Sequence, residues 1–137
     1  MILELFKEKI GKTDSRIPCI IGFLKNYEYS ASDFGMFFLE PETLKSETIN
    51  LKHDKAHERT IKLYYLAPVD VSWAPEFDIK YQVDFLESLM NQLSKDKDIL
   101  KEIKNFDYAY TLKSRGSTED FYMKEIIFEV IINIKER

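Results

Sequence analysis

The sequence predicts an α+β fold: a mostly antiparallel sheet with two helices packed on one face, in the order α-β-β-β-α-β-β. Three observations carry that expectation. Residues 76–93 hold apolar side chains at the three- and four-residue spacing of an amphipathic helix. Two segments near the C-terminus, 106–112 and 121–134, alternate with the period of two that marks a strand. The composition is 45% hydrophobic and 14% aromatic with four Gly and four Pro, which describes a packed interior and not a disordered or fibrous chain. At 137 residues the sequence reads as a single domain, 1–137. A chain near that size buries roughly 68–70% of its unfolded surface, enough to fold without disulfide or metal staples.

Each element follows from its local pattern. Ile2, Leu5, Phe6 and Ile10 recur at helical spacing and Gly11 is a natural C-terminal glycine, so residues 2–10 are expected to form a short helix. Asp14, Ser15 and Arg16-Ile17-Pro18 then form a loop. Ile17 to Leu24 is nearly all apolar, which predicts a strand whose proline, Pro18, lies at its first residues or on a sheet edge. After a polar turn from Asn26 to Asp33, Phe34 to Leu39 is apolar on both faces and predicts a strand covered on both sides, closed by Pro41.

Residues 42–59 carry eight charged side chains around few apolar ones and read as a long exposed loop or hairpin tip. Loops of that length in a compact domain are usually functional or disordered, so this is the first place to expect a partner contact. Thr60 to Leu66 resumes a strand, with Ile61, Leu63 and Tyr65 on one face and Pro68 ending it. Trp73 lies in the linker that follows. The second helix repeats at Ile79, Gln82/Val83, Leu86, Leu89/Met90 and Leu93, with Phe85 broadening the stripe. Ile99, Leu100 and Ile103 suggest a further turn of helix. Phe106, Tyr108, Tyr110 and Leu112 then alternate with polar or small residues, Ser114 to Thr118 turns the chain, and a long alternating strand runs to the C-terminus.

Charge excludes several functions. The net charge is −4, with 9 basic and 10 acidic residues in positions 1–60 and 11 and 14 in the rest, so neither part forms the basic surface that nonspecific nucleic-acid binding requires. Glu4, Lys7, Glu8 and Lys9 interrupt the opening segment, which therefore lacks a signal-peptide pattern, and no apolar run nears the roughly 18–20 residues that cross a bilayer. The single Cys19 has no intrachain disulfide partner and sits in an apolar run, which suits a reducing, cytoplasmic setting.

The sharpest chemical pattern is His53-Asp54-Lys55-Ala56-His57. On a helix the i, i+4 spacing places both imidazoles on one face at metal-ligand distance, with Glu58 as a further oxygen donor, so a metal-dependent hydrolase is one reading. Against it, zincin motifs use Glu after the first His because the longer arm reaches the metal-bound water, and this stretch is short and polar. Gly11-Lys12-Thr13 ends like a phosphate loop, yet the glycine required five residues earlier is Phe6. No Gly-x-Ser-x-Gly elbow occurs, and Cys19 has no nearby histidine to activate it. The acid pairs Glu40/Glu42 and Glu125/Glu129 read as solvated residues, and the aromatics of 34–38, Tyr108 and Tyr110 as packing residues. No cofactor, catalytic or metal site is therefore expected. What stands out is apolar residue beyond what a monomer covers easily: Ile127 and Ile131 on the second face of the last strand, and Trp73 and Phe77 in or beside a linker. That surface suits a protein interface, whether in an assembly or in a small adaptor or immunity protein.

The layout of a short N-terminal helix, an Ile-Pro-x-Ile strand, a long excursion, the strand end Ile61-Lys62-Leu63-Tyr64-Tyr65-Leu66-Ala67-Pro68, one amphipathic helix and a C-terminal hairpin resembles the tail-terminator (tail-completion) proteins of tailed phages and phage-tail-like particles, particularly those of Gram-positive hosts. The resemblance spans nearly the whole chain. It implies a hexameric ring on the end of the tail tube that stops tube growth and meets the head or collar, in a particle assembled in the bacterial cytoplasm. It implies no catalytic residue, in keeping with the absence of a cofactor motif, while the charge balance and the lack of a long apolar run predict no specific nucleic-acid contact and no membrane contact. By position, the excursion with Lys52, Lys55 and Arg59 would face the tube or a neighbouring subunit.

Overall fold

The computed structural model of the chain describes residues 2–23, 35–40, 58–70, 75–115 and 123–136, with the backbone alone at 58, 69–70, 75–78, 113–115 and 123–125. Three helices, α1 (Ile2–Thr13), α2 (Pro75–Ser94) and α3 (Lys97–Glu102), accompany five strands, β1 (Cys19–Ile21), β2 (Met36–Glu40), β3 (Glu58–Asp70), β4 (Asn105–Arg115) and β5 (Met123–Lys135). The class is α+β, with a mixed sheet and three helices in place of the two expected.

The sheet order is β1-β2-β3-β5-β4. β1 runs parallel to β2, and the other three pairings are antiparallel. The C-terminal hairpin pairs β4 with β5 from Asn105↔Lys135 to Arg115↔Glu125. β3 occupies the other side of β5 along its whole length, from Glu58↔Lys135 to Asp70↔Met123. β5 is thus enclosed by strands on both sides, while β1 and β4 are the outer strands.

Several expected boundaries move, each for a physical reason. The first helix continues through Gly11 to Thr13, because Gly11 does not take the left-handed conformation that would end it. Its last turn is held by Thr13 Oγ1 donating to the Lys9 carbonyl at 3.2 Å and by an ion pair from Lys12 to Glu8 at 2.9 Å. The 17–24 strand shortens to β1, the outer strand, with Pro18 just before it, its carbonyl accepting the Phe37 N–H at 2.9 Å. The Phe34–Leu39 strand shifts to Met36–Glu40. Glu58 and Arg59, placed by sequence in the excursion, open β3 instead, and positions 42–57 lie outside the described residues. β3 also runs through Pro68, which sits beyond the last β2 pair, Met36↔Leu66, where the missing N–H leaves no β2 bond unmade. Ser114 and Arg115, read as turn, end β4. Pro75 is the first residue of α2, where its fixed φ favours the helix.

Alternation divides the sheet into two faces. On one, Phe37 and Leu39 of β2, Ile61, Leu63, Tyr65 and Ala67 of β3, Phe106 of β4 and the alternate residues Ile126, Phe128, Val130, Ile132 and Ile134 of β5 join Phe6 and Ile10 of α1, Leu86, Met90 and Leu93 of α2 and Ile99 of α3 in one core. Its centre is aromatic. Phe37, Tyr65 and Phe128 are direct cross-strand neighbours, stacked with ring centroids 4.5 Å and 5.8 Å apart, and Tyr110 meets Phe128 edge-on at 5.9 Å. Such pairs each add about 0.5–1.5 kcal/mol beyond the area they bury. The Tyr65 hydroxyl donates to Gln82 Oε1 at 2.6 Å, and Gln82 Nε2 reaches the Pro68 carbonyl at 3.4 Å, so the polar atoms that α2 carries into the core are satisfied there. Burial raises the Tyr65 pKa and keeps its hydroxyl protonated as that donor.

Candidate functional site

The residues that alternate away from the helices build the second face, which has three zones. Toward β2, Phe38 and Leu66 are fully buried. In the middle, the polar side chains of Glu40, Lys62, Tyr64 and Glu129 lie on neighbouring strands, with Glu40 opposite Lys62 and Tyr64 opposite Glu129. Toward β4, Ile127 is half-buried and Ile131 is 37% exposed, with the exposed Ala109 directly opposite Ile131.

The polar zone is electrostatically specific. Desolvation pushes the Tyr64 phenol up to about 12, and the charges of Glu40 and Glu129 together with its hydrogen bond to Glu40 act in the same direction. Tyr64 is therefore a neutral donor across physiological pH and not a base or nucleophile. Lys62 Nζ lies 4.0 Å from Glu129 Oε1, and a pair this long with its lysine in solvent adds little to stability. Nearer the edge, Thr60 Oγ1 and Asn133 Oδ1 are 3.2 Å apart and hydrogen-bonded. An apolar strip beside satisfied polar groups has the anatomy of a protein–protein contact.

The helix layer carries its own charged clamp. Lys9 on α1 reaches Asp98 Oδ2 at 2.6 Å and Asp96 Oδ2 at 3.3 Å, while Asp96 caps α3 by accepting from the Asp98 and Ile99 N–H groups. The hydrogen bond to Asp98 raises the Lys9 pKa. The same Lys9 contacts lower Asp98, and the capping and Lys9 bonds lower Asp96 against the opposing effect of burial. Asp14 is lowered to about 2 by its hydrogen bonds with Arg16. Burial pushes the Cys19 thiol up to about 11, which matches its reading as a small apolar residue.

The structure brings together only some of the residues singled out by sequence. Ile127 and Ile131 share the second face of β5. Arg59 stands on the other face by alternation with Ile61, half-buried and ion-paired with Glu136. Phe77 lies in the first turn of α2, where only the backbone is described, and Lys52, Lys55 and Trp73 lie outside the described residues. So do His53 and His57; among the described residues no group of three or more His, Cys, Asp or Glu could hold a metal ion. Glu129 departs from its reading as a solvated acid, being half-buried beside Tyr64.

Sequence reading missed the Glu40–Tyr64–Glu129 row. Alternation with Leu63 and Tyr65 already sends Tyr64 to the second face, but its acidic neighbours follow from the β2–β3 and β3–β5 registers. Among the described residues no helix is long and apolar enough to cross a membrane. No protein-family model matches the chain, and no curated protein matches it.

Proposed function

We propose that this chain is a structural subunit that closes into a hexameric ring and caps the tail tube of a phage or phage-tail-like particle, ending tube growth and presenting a surface to the head or collar. The observation that carries the reading is the second face of β5. This strand has neighbours on both sides, its helix-facing residues are fully buried, and yet Ile131 remains 37% exposed with Ile127 half-buried beside it. Apolar side chains at the surface in the interior of a sheet favour an interface. A ring uses such a patch heterologously, each subunit's patch meeting a different surface on its neighbour until the rotation closes. The role asks for no cofactor and no catalytic group, and its partners are further copies of the chain, the tube protein and a connector or collar protein.

Light scattering tests the reading. The ring has a mass of about 98 kDa, six times the 16.3 kDa of one chain. Ile131→Lys is expected to abolish the ring mass while leaving the melting temperature within a degree or two, because an exposed position changes stability by about 0.5 kcal/mol or less. A wild-type chain that neither forms the ring nor binds isolated tail tubes overturns the reading.

A further inference from the structure

We propose that two copies of this chain also pair through the outer edge of β4, antiparallel and about a two-fold axis at or next to Tyr110, to make one continuous sheet. β4 closes the sheet order, so among the described residues its eleven-residue outer edge has no neighbouring strand. A long edge presents a row of N–H and C=O groups that another strand can complete, and proteins that avoid this shorten, bulge or heavily charge the edge. β4 pairs with β5 without interruption from Asn105 to Arg115, and its central stretch Tyr108 to Leu112 carries no charge.

What selects a second copy as the occupant is the match of the edge to its own reversed sequence. With the axis at Tyr110, Asp107 stands opposite Lys113 of the second copy and Leu112 opposite Tyr108. With the axis at Thr111, Asp107 stands opposite Arg115 and Leu112 opposite Tyr110. In either register the one acidic residue of the strand meets a basic one, and Leu112, 44% exposed in the single chain, meets an aromatic residue. Both kinds of cross-strand pair stabilise a sheet, and a two-fold axis makes each of them twice. Asp107 itself is exposed, and its ion pair with Lys135 at 3.2 Å lies in solvent, so its carboxylate is open to the second copy.

The pairing stands apart from the ring. In a six-membered cyclic ring the two-fold rotation lies along the ring axis and relates subunits on opposite sides, never neighbours in contact, so the β4 contact is a separate assembly with its own mass, about 33 kDa as twice 16.3 kDa. The test is the solution mass by sedimentation equilibrium on the full chain and its variants, with melting temperature as the folding control. The ring-disrupting Ile131→Lys background isolates this species. A dimer is expected there, with Asp107→Lys weakening it by about tenfold or more as two attractive pairs become repulsive. Adding Lys113→Asp restores it in the Tyr110 register, and adding Arg115→Asp in the Thr111 register. A chain that stays monomeric to about 1 mM, a dimer indifferent to Asp107→Lys, or one that neither second change restores overturns the proposal.

Discussion

The two faces of β5 are built from neighbouring residues of one strand and have opposite characters. Ile126, Phe128, Val130, Ile132 and Ile134 are buried against three helices. Ile127, Glu129, Ile131 and Asn133, each one residue away, run from half-buried to exposed. Both faces contain apolar residues, so hydrophobicity alone does not decide which becomes core. Among the described residues the core side chains of the helices meet the first face, and aromatic stacking from Phe37 through Tyr65 to Phe128 ties that face together across three strands. The first face stores the stability of the fold, while the second is where an interaction can be made or lost without unfolding the chain.

The sharpest way to break that contrast is one strand, two truncations. Phe128→Ala should destabilise the chain by about 3–5 kcal/mol, because it removes a fully buried ring in contact with Tyr65 and Tyr110. Ile131→Ala, measured by the same urea unfolding series, should cost under about 1 kcal/mol in the monomer. Equal costs would mean that both faces are core.

A smaller effect is expected at the start of β2. Gly35 has φ of +96°, and a Cβ there would stand 2.6 Å from the Leu66 carbonyl oxygen. That oxygen belongs to backbone and has little room to move. Gly35→Ala should therefore destabilise by about 2 kcal/mol or more, combining left-handed strain with the clash. A neutral result in thermal unfolding would show that β2 can move off β3, and with it that the buried zone of the second face is loosely held.

The smallest effect isolates the helix layer. Asp96→Ala should cost about 1 kcal/mol through loss of the α3 cap. The wild-type clamp should respond to acid. Asp96 and Asp98 are both held below the ordinary 3.8, so the stability they contribute is present above that value and is lost as the pH falls through their lowered values. Lys9 is raised above 10.5, so its contribution is present below that value and is lost only as the pH rises through its raised value. In an acid titration followed by unfolding, Asp96→Ala should flatten part of the fall below pH 3.8, and an unchanged slope would remove the clamp from the account.

Local pattern determined what local physics governs. The spacing of Leu86, Leu89, Met90 and Leu93 gave α2 its buried stripe, because a 3.6-residue turn places those positions on one side wherever the helix lies. The alternation from Phe106 to Leu112 and from Ile126 to Ile134 likewise yielded β4 and β5 and the faces they turn to the core, and their closeness in sequence favours their pairing. The candidate surface was legible to the same extent: Ile127 and Ile131 follow from period two alone. Tertiary structure decided what depends on non-local partners. The insertion of β3 beside β5, the parallel pairing of β1, the passage of β3 through Pro68 and the placing of Arg59 opposite the Ile131 face all rest on which strand edges meet, and strand edges carry the same N–H and C=O groups in every sequence. The elevated Tyr64 phenol has the same origin, since the tertiary structure supplies both the burial that raises it most and the register that sets Glu40 and Glu129 on the strands to either side.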